Sequence, residues 1–174
     1  MSQPLAQPTL WLGLLDNGAL WWGLAACGSA QLSKLVIELV VHRRWNPRVL
    51  VETGGMPSSH SALLTGTAAA LGWQQGFDSA VFALAACLCF VVLYDASGVR
   101  RAAGLTAARV NSLARVNTLA EPPADQKPLK ENLGHTRLEV LVGSLMGPLI
   151  ALPGLVWVGS PLLLARHWGW LAVG

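Results

Sequence analysis

Charge is what this sequence has least of. Only 12% of its 174 residues are Asp, Glu, Lys or Arg, while 53% are hydrophobic; a soluble domain carries about a quarter charged residues. That shortage excludes an ordinary water-facing surface and makes the bilayer the expected solvent. Cysteine is scarce too. Cys27, Cys87 and Cys89 all lie in apolar runs without C-x-x-C spacing, so a disulfide framework and a cysteine zinc site are not expected, and the three read as small core residues. No Lys or Arg precedes Lys34, and Asp16 interrupts the first apolar stretch. A cleaved signal peptide is therefore not expected, and the N-terminal segment reads as mature protein.

The apolar residues fall in blocks. Gly18 to Val41 is long enough to cross a hydrocarbon core of about 30 Å. A second apolar helix is expected to begin near Pro57, since proline suits a first helical turn, and to end near Gly72 and Trp73. A third covers Ser79 to Ala96, and a fourth Leu138 to Val158, where Pro148 and Pro153 are expected to introduce kinks. The final "PLLLARHWGWLAVG" reads as re-entrant or interfacial. The expected architecture is all-α: one polytopic membrane bundle of about four to five membrane segments spanning residues 1–174, with a basic insertion at about 97–137.

Ten of the twelve basic residues lie in two connecting segments: Arg43, Arg44 and Arg48, then Arg100, Arg101, Arg109, Arg115, Lys127, Lys130 and Arg137. A short hairpin, "WQQGFDS", joins the second and third spans, so both basic segments share one side, expected to be cytoplasmic. Trp21, Trp22, Trp73 and Trp157 fall toward the opposite interface. Val99 to Leu119 has no acid and good helix formers. It reads equally well as a helix on the membrane surface or as a solvated one. "AEPPADQKPLKENLGH" follows as loop.

Polar chemistry concentrates in few places. In "ETGGMPSSHSALLTG", Gly54 and Gly55 allow close backbone approach. Pro57 then sets a helix start, at which the amides of Ser58, Ser59 and His60 are expected to be free to receive an anion such as phosphate. His60 alone is as compatible with bonding a neighbouring carbonyl. In "LGHTRLEVLVG", His135 and Glu139 are four apart and share a helix face, so the carboxylate can orient the imidazole and stabilise its positive charge. Lys34 lies within a span, where a cation is costly and is either functional or paired; Glu38 is one turn away.

Together "GGMPSSHSALLTG", "YDASGVRRAAG" and "LGHTRLEVLVG" resemble the divergent membrane family related to type 2 phosphatidic acid phosphatases and vanadium haloperoxidases, over about Lys34 to Gly147. "PSSH" is similar to the P-S-G-H motif of that superfamily with Ser59 in place of glycine. "HTRLEVLVG" is similar to H-x-x-x-D-V-x-x-G with Glu139 in place of aspartate. The resemblance implies a metal-independent, cofactor-free phosphatase. His135 would attack phosphorus, Glu139 would hold its ring, and His60 would protonate the leaving oxygen. Lys34, an arginine and the Ser58 and Ser59 region would clamp phosphate oxygens.

There are departures. The superfamily's first motif pairs its lysine with an arginine seven residues on, where this chain has Val41; Arg44 serves only if the helix ends or bends. Leu129 stands where the third motif expects arginine, so Arg100 or Arg101 must deliver that charge, or else anchor lipid headgroups. Asp95 can pair with one of these arginines, orient His60, or join Glu139 around a cation. Pairing with arginine is favoured, since the acids show no metal-ligand spacing.

The expected function is hydrolysis of a phosphatidate-like lipid or of a polyprenyl phosphate or pyrophosphate through a phosphohistidine, with phospholipid around the protein and homo-oligomers as a further partner state. The alternative is a scaffold that binds phospholipid without turning it over, and a transporter using Lys34 and Glu38 ranks third. The chain lacks the G-x-S-x-G elbow of serine hydrolases. Its basic stretch lacks the interleaved aromatics of a nucleic-acid surface.

Overall fold

A computed structural model of the protein describes residues 10–50, 54–116 and 127–169. The proline-bearing part of the basic insertion, at 117–126, lies outside the described residues, as do Glu52 and the last five residues. All regular structure among the described residues is helical: α1 (Leu10–Asp16), α2 (Gly18–Val40), α3 (Ser59–Gln75), α4 (Ala80–Ser97), α5 (Val99–Val116), α6 (Arg137–Trp157) and α7 (Pro161–His167). A single 3-10 turn covers Pro47–Leu50. Among the described residues three helical stretches are long and apolar enough to cross a membrane: Gly18–Val40, Ala80–Ala114 beginning with α4, and Arg137–His167 beginning with α6.

Helix starts follow cap chemistry. The side chains of Asn17, Ser58, Ser79, Thr136 and Ser160 each accept a hydrogen bond from the backbone three residues on, opening α2, α3, α4, α6 and α7. The second helix therefore begins two residues after Pro57, because Ser58 is the cap. The fourth continues through Pro148 and Pro153 to Trp157.

The bundle is built around α3, which packs against α2, α4 and α6. At 17 residues α3 is the shortest of the four, and it is rich in alanine and glycine where its neighbours carry large apolar side chains. Lipid gives packed helices no hydrophobic reward, so close backbone approach at small residues is what joins them. Ala26 and Ala30 of α2 meet Ala62 of α3 in the core, with Met146 and Ile150 of α6 against them. A Cβ on Gly147 would lie 2.6 Å from the Ala62 carbonyl oxygen, and one on Gly66 would lie 3.1 Å from the Gly147 carbonyl oxygen. The α3–α6 contact therefore runs glycine to backbone.

The helices alternate in direction, which sorts their termini into two ends. The end of α2, the start of α3, the end of α4 and the start of α6 share one end. The other end gathers Trp21, Trp22, Trp73 and Trp157. There Trp22 donates its ring N–H to the Gly159 carbonyl at 2.7 Å, and Ser160 donates to Asp16 at 2.7 Å, tying α2 and α1 to the turn before α7.

Candidate functional site

The first end holds the motif residues. Thr136 and Glu139 form a reciprocal capping box at the start of α6: the Glu139 amide donates to Thr136 Oγ1 at 3.2 Å, and the Thr136 amide donates to Glu139 Oε2 at 3.1 Å. The same carboxylate oxygen lies 3.0 Å from His135 Nδ1. One glutamate thus caps its helix and fixes the imidazole, leaving Nε2 as the ring atom for other chemistry. His135 is 6% exposed.

Two distant segments hold this dyad. The His135 amide donates to the Ala96 carbonyl at 2.9 Å, fixing the residue to the end of α4. Gly134, immediately before it, has φ +78°, and a Cβ there would lie 2.7 Å from the Arg100 carbonyl carbon, so only glycine lets this segment cross the start of α5. Farther back along the segment, Asn111 of α5 donates to the Leu129 carbonyl and to Glu131, each at 2.8 Å, and accepts from the Leu129 amide at 3.0 Å. The whole approach to His135 is therefore bound to α5.

The "PSSH" segment lies against the first turns of α6. The Ser58 amide donates to the Glu139 carbonyl at 3.0 Å, and Gly143, one turn beyond Glu139, leaves room for the Ser58 backbone. This corrects the expectation that the Ser58 amide is free for an anion: it is consumed in joining α3 to α6. The Ser58 hydroxyl is fully buried and accepts from Ser61 Oγ at 2.8 Å, and Ser59 is 2% exposed. The amides of Ser59 and His60, in the first turn of α3, have no carbonyl four residues back within the helix. His60 is exposed, within electrostatic range of His135, Arg100 and Lys34.

Lys34 is 7% exposed on α2, with Nζ donating to the Gly54 carbonyl at 2.9 Å and Glu139 within electrostatic range. Glu38 is the sequence's nearest counter-charge, yet its carboxylate lies 4.0 Å from His42 Nε2. Gly55 has φ +78° and open space on its Cβ side, so backbone conformation rather than close approach requires glycine there.

Asp95 accepts from Arg100 Nε, the pairing the sequence favours. Arg101 lines a cleft of about 660 Å³ together with Lys34, Glu139, Thr136, Gly54 and Gly55. Arg44 is exposed beyond the end of α2 and is not among the residues lining that cleft. Neither His60 nor His135 contributes to its walls.

Sequence reasoning missed three contributors. Thr136 was readable, because T-x-x-E before an apolar run signals a capping box. Cys27, within electrostatic range of Lys34, and the Gly54 carbonyl carry no such signal, since only packing brings them to the site.

These features define a membrane-embedded helical bundle with a histidine–glutamate dyad and a buried lysine at one end. The profile of the Divergent PAP2 family matches residues 15–150, and the chain belongs to that family. It is 40% identical over 149 residues to the uncharacterized membrane protein YuiD of Bacillus subtilis (strain 168), covering 80% of this chain and 94% of that protein. No solved structure matches.

Proposed function

We propose that the protein is an integral membrane phosphatase acting on a phosphorylated lipid, either a phosphatidate-like or a polyprenyl phosphate, with its site facing the cytoplasm. The observation that carries this reading is the dyad: Glu139 holds His135 Nδ1 at 3.0 Å, which leaves Nε2 as the nucleophilic ring atom. Nε2 attacks phosphorus, the bond to the lipid oxygen breaks, and that oxygen takes a proton from His60. Water then attacks the phosphorus, giving a proton back to His60 as the phosphorus–nitrogen bond breaks, which releases phosphate and frees His135. Splitting one displacement into two lowers each barrier. Lys34, Arg100, Arg101 and the first amides of α3 supply positive potential for the charge that develops on phosphate oxygens. Family membership and the membrane spans support the lipid as substrate. The experiment is phosphate release from a panel of lipid phosphates by the purified protein in detergent. Release that survives both His135→Ala and His60→Ala, or no release at all, overturns the reading.

One observation favours a second reading, a phospholipid-binding protein without turnover. The cleft reaches Lys34, Arg101 and Glu139 but neither histidine. Binding of a phospholipid that persists in His135→Ala without hydrolysis by the wild type selects this alternative.

A further inference from the structure

Helix α5 has one buried side and one apolar side that nothing among the described residues covers. Gly104, Ala107 and Asn111 are buried against the segment that leads to His135. On the other side Val99, Ala102, Thr106, Val110 and Leu113 recur at spacings of three and four and so share a face. Val99, Val110 and Leu113 are 62%, 45% and 68% exposed. Arg109, exposed, borders this face, and no acid occurs from Val99 to Leu119. We infer that α5 lies on the bilayer surface and binds anionic phospholipid, its apolar face in the acyl boundary and Arg109 on the headgroups.

Two features select this occupant. The first is continuity: only Gly98 separates α5 from α4, whose Phe90, Val91 and Tyr94 are 77%, 65% and 76% exposed on a helix that spans the membrane. The apolar surface of the span thus passes directly into that of α5. The second is charge: an acid-free helix with Arg109 beside an apolar stripe matches a negatively charged lipid surface. The consequence reaches the site, because Asn111 and the crossing at Gly134 attach the His135 segment to this same helix. Lipid held by α5 braces that segment from outside, whatever chemistry His135 performs.

The test is photo-crosslinking of the full chain in nanodiscs, with benzoylphenylalanine replacing Val110 or Leu113 and, as the lipid-facing reference, Phe90. Phospholipid adducts at all three positions are expected, with those at Val110 and Leu113 more abundant in phosphatidylglycerol than in phosphatidylcholine. Arg109→Gln is expected to lower the phosphatidylglycerol preference about fivefold, equivalent to about 1 kcal/mol per basic residue near an anionic surface. Adducts to a second copy, adducts at Phe90 alone, or equal yields in the two lipids would each overturn the inference.

Discussion

The two ends of the bundle are fastened in opposite ways. At the tryptophan end the ties are side-chain caps and ring packing: Trp22 to the Gly159 carbonyl, Ser160 to Asp16, and Phe77 edge-on to Phe82 with centroids 5.1 Å apart. At the other end two of the ties run backbone to backbone, Ser58 N–H to the Glu139 carbonyl and His135 N–H to the Ala96 carbonyl, and Lys34 Nζ adds one to the Gly54 carbonyl. A side chain that caps a turn can be exchanged with local cost. Backbone groups that join α3, α4 and α6 fix the position of a titratable dyad, so their disturbance is expected to reach the site. Chemistry and stability should therefore separate by end.

The sharpest break of this contrast is His135→Ala, expected to reduce lipid phosphate hydrolysis to background while leaving thermal unfolding in detergent nearly unchanged; retained turnover would remove the site end from the chemistry. His60→Ala is expected to slow hydrolysis by about 10²–10⁴-fold, the usual worth of a general acid, with the largest loss on substrates whose leaving oxygen is most basic. A leaving-group series in both proteins measures it. In the shared middle, Gly147→Val is expected to destabilise by about 3 kcal/mol, since a side chain there meets the Ala62 carbonyl and Gly66 amide and overpacks the α3–α6 contact. Unchanged melting would show that these helices do not approach at glycine. Lys34→Met is expected to weaken binding of a phosphate analogue about 10- to 100-fold, in line with a lost charge-assisted hydrogen bond, as read by titration calorimetry. The smallest effect belongs to the tryptophan end: Trp22→Phe removes one hydrogen bond to Gly159, is expected to cost about 1 kcal/mol, and should leave turnover alone.

The spans were readable because each combines an apolar block with its own cap. Gly18–Val40, Ala80–Ser97 and Arg137–Trp157 fall within a residue of the expected ranges. The dyad was readable for a similar reason: His135 and Glu139 are one turn apart, so helical geometry alone brings them together. The Asp95–Arg100 pair is local in the same sense. What was misread depends on contacts across the bundle. The free amide expected at Ser58 is occupied by the carbonyl of Glu139, on a different helix. Lys34 has a glutamate one turn away, yet its bonded partner is the Gly54 carbonyl. Arg44, expected near phosphate only where α2 ended or bent, sits beyond a helix that does end at Val40, outside the lining of the cleft.

By itself the sequence determined a low-charge chain that must bury its backbone in membrane helices, the side on which its arginines collect, and the one-turn pairing of His135 with Glu139. All of these follow from composition and helical period. Only the tertiary structure decided that Ser58 gives its amide to α6, that Lys34 holds Gly54, and that the approach to His135 is carried on α5. Those are hydrogen bonds to backbone groups and glycine-sized gaps between distant segments, and backbone groups are the same at every position of a sequence until packing chooses among them.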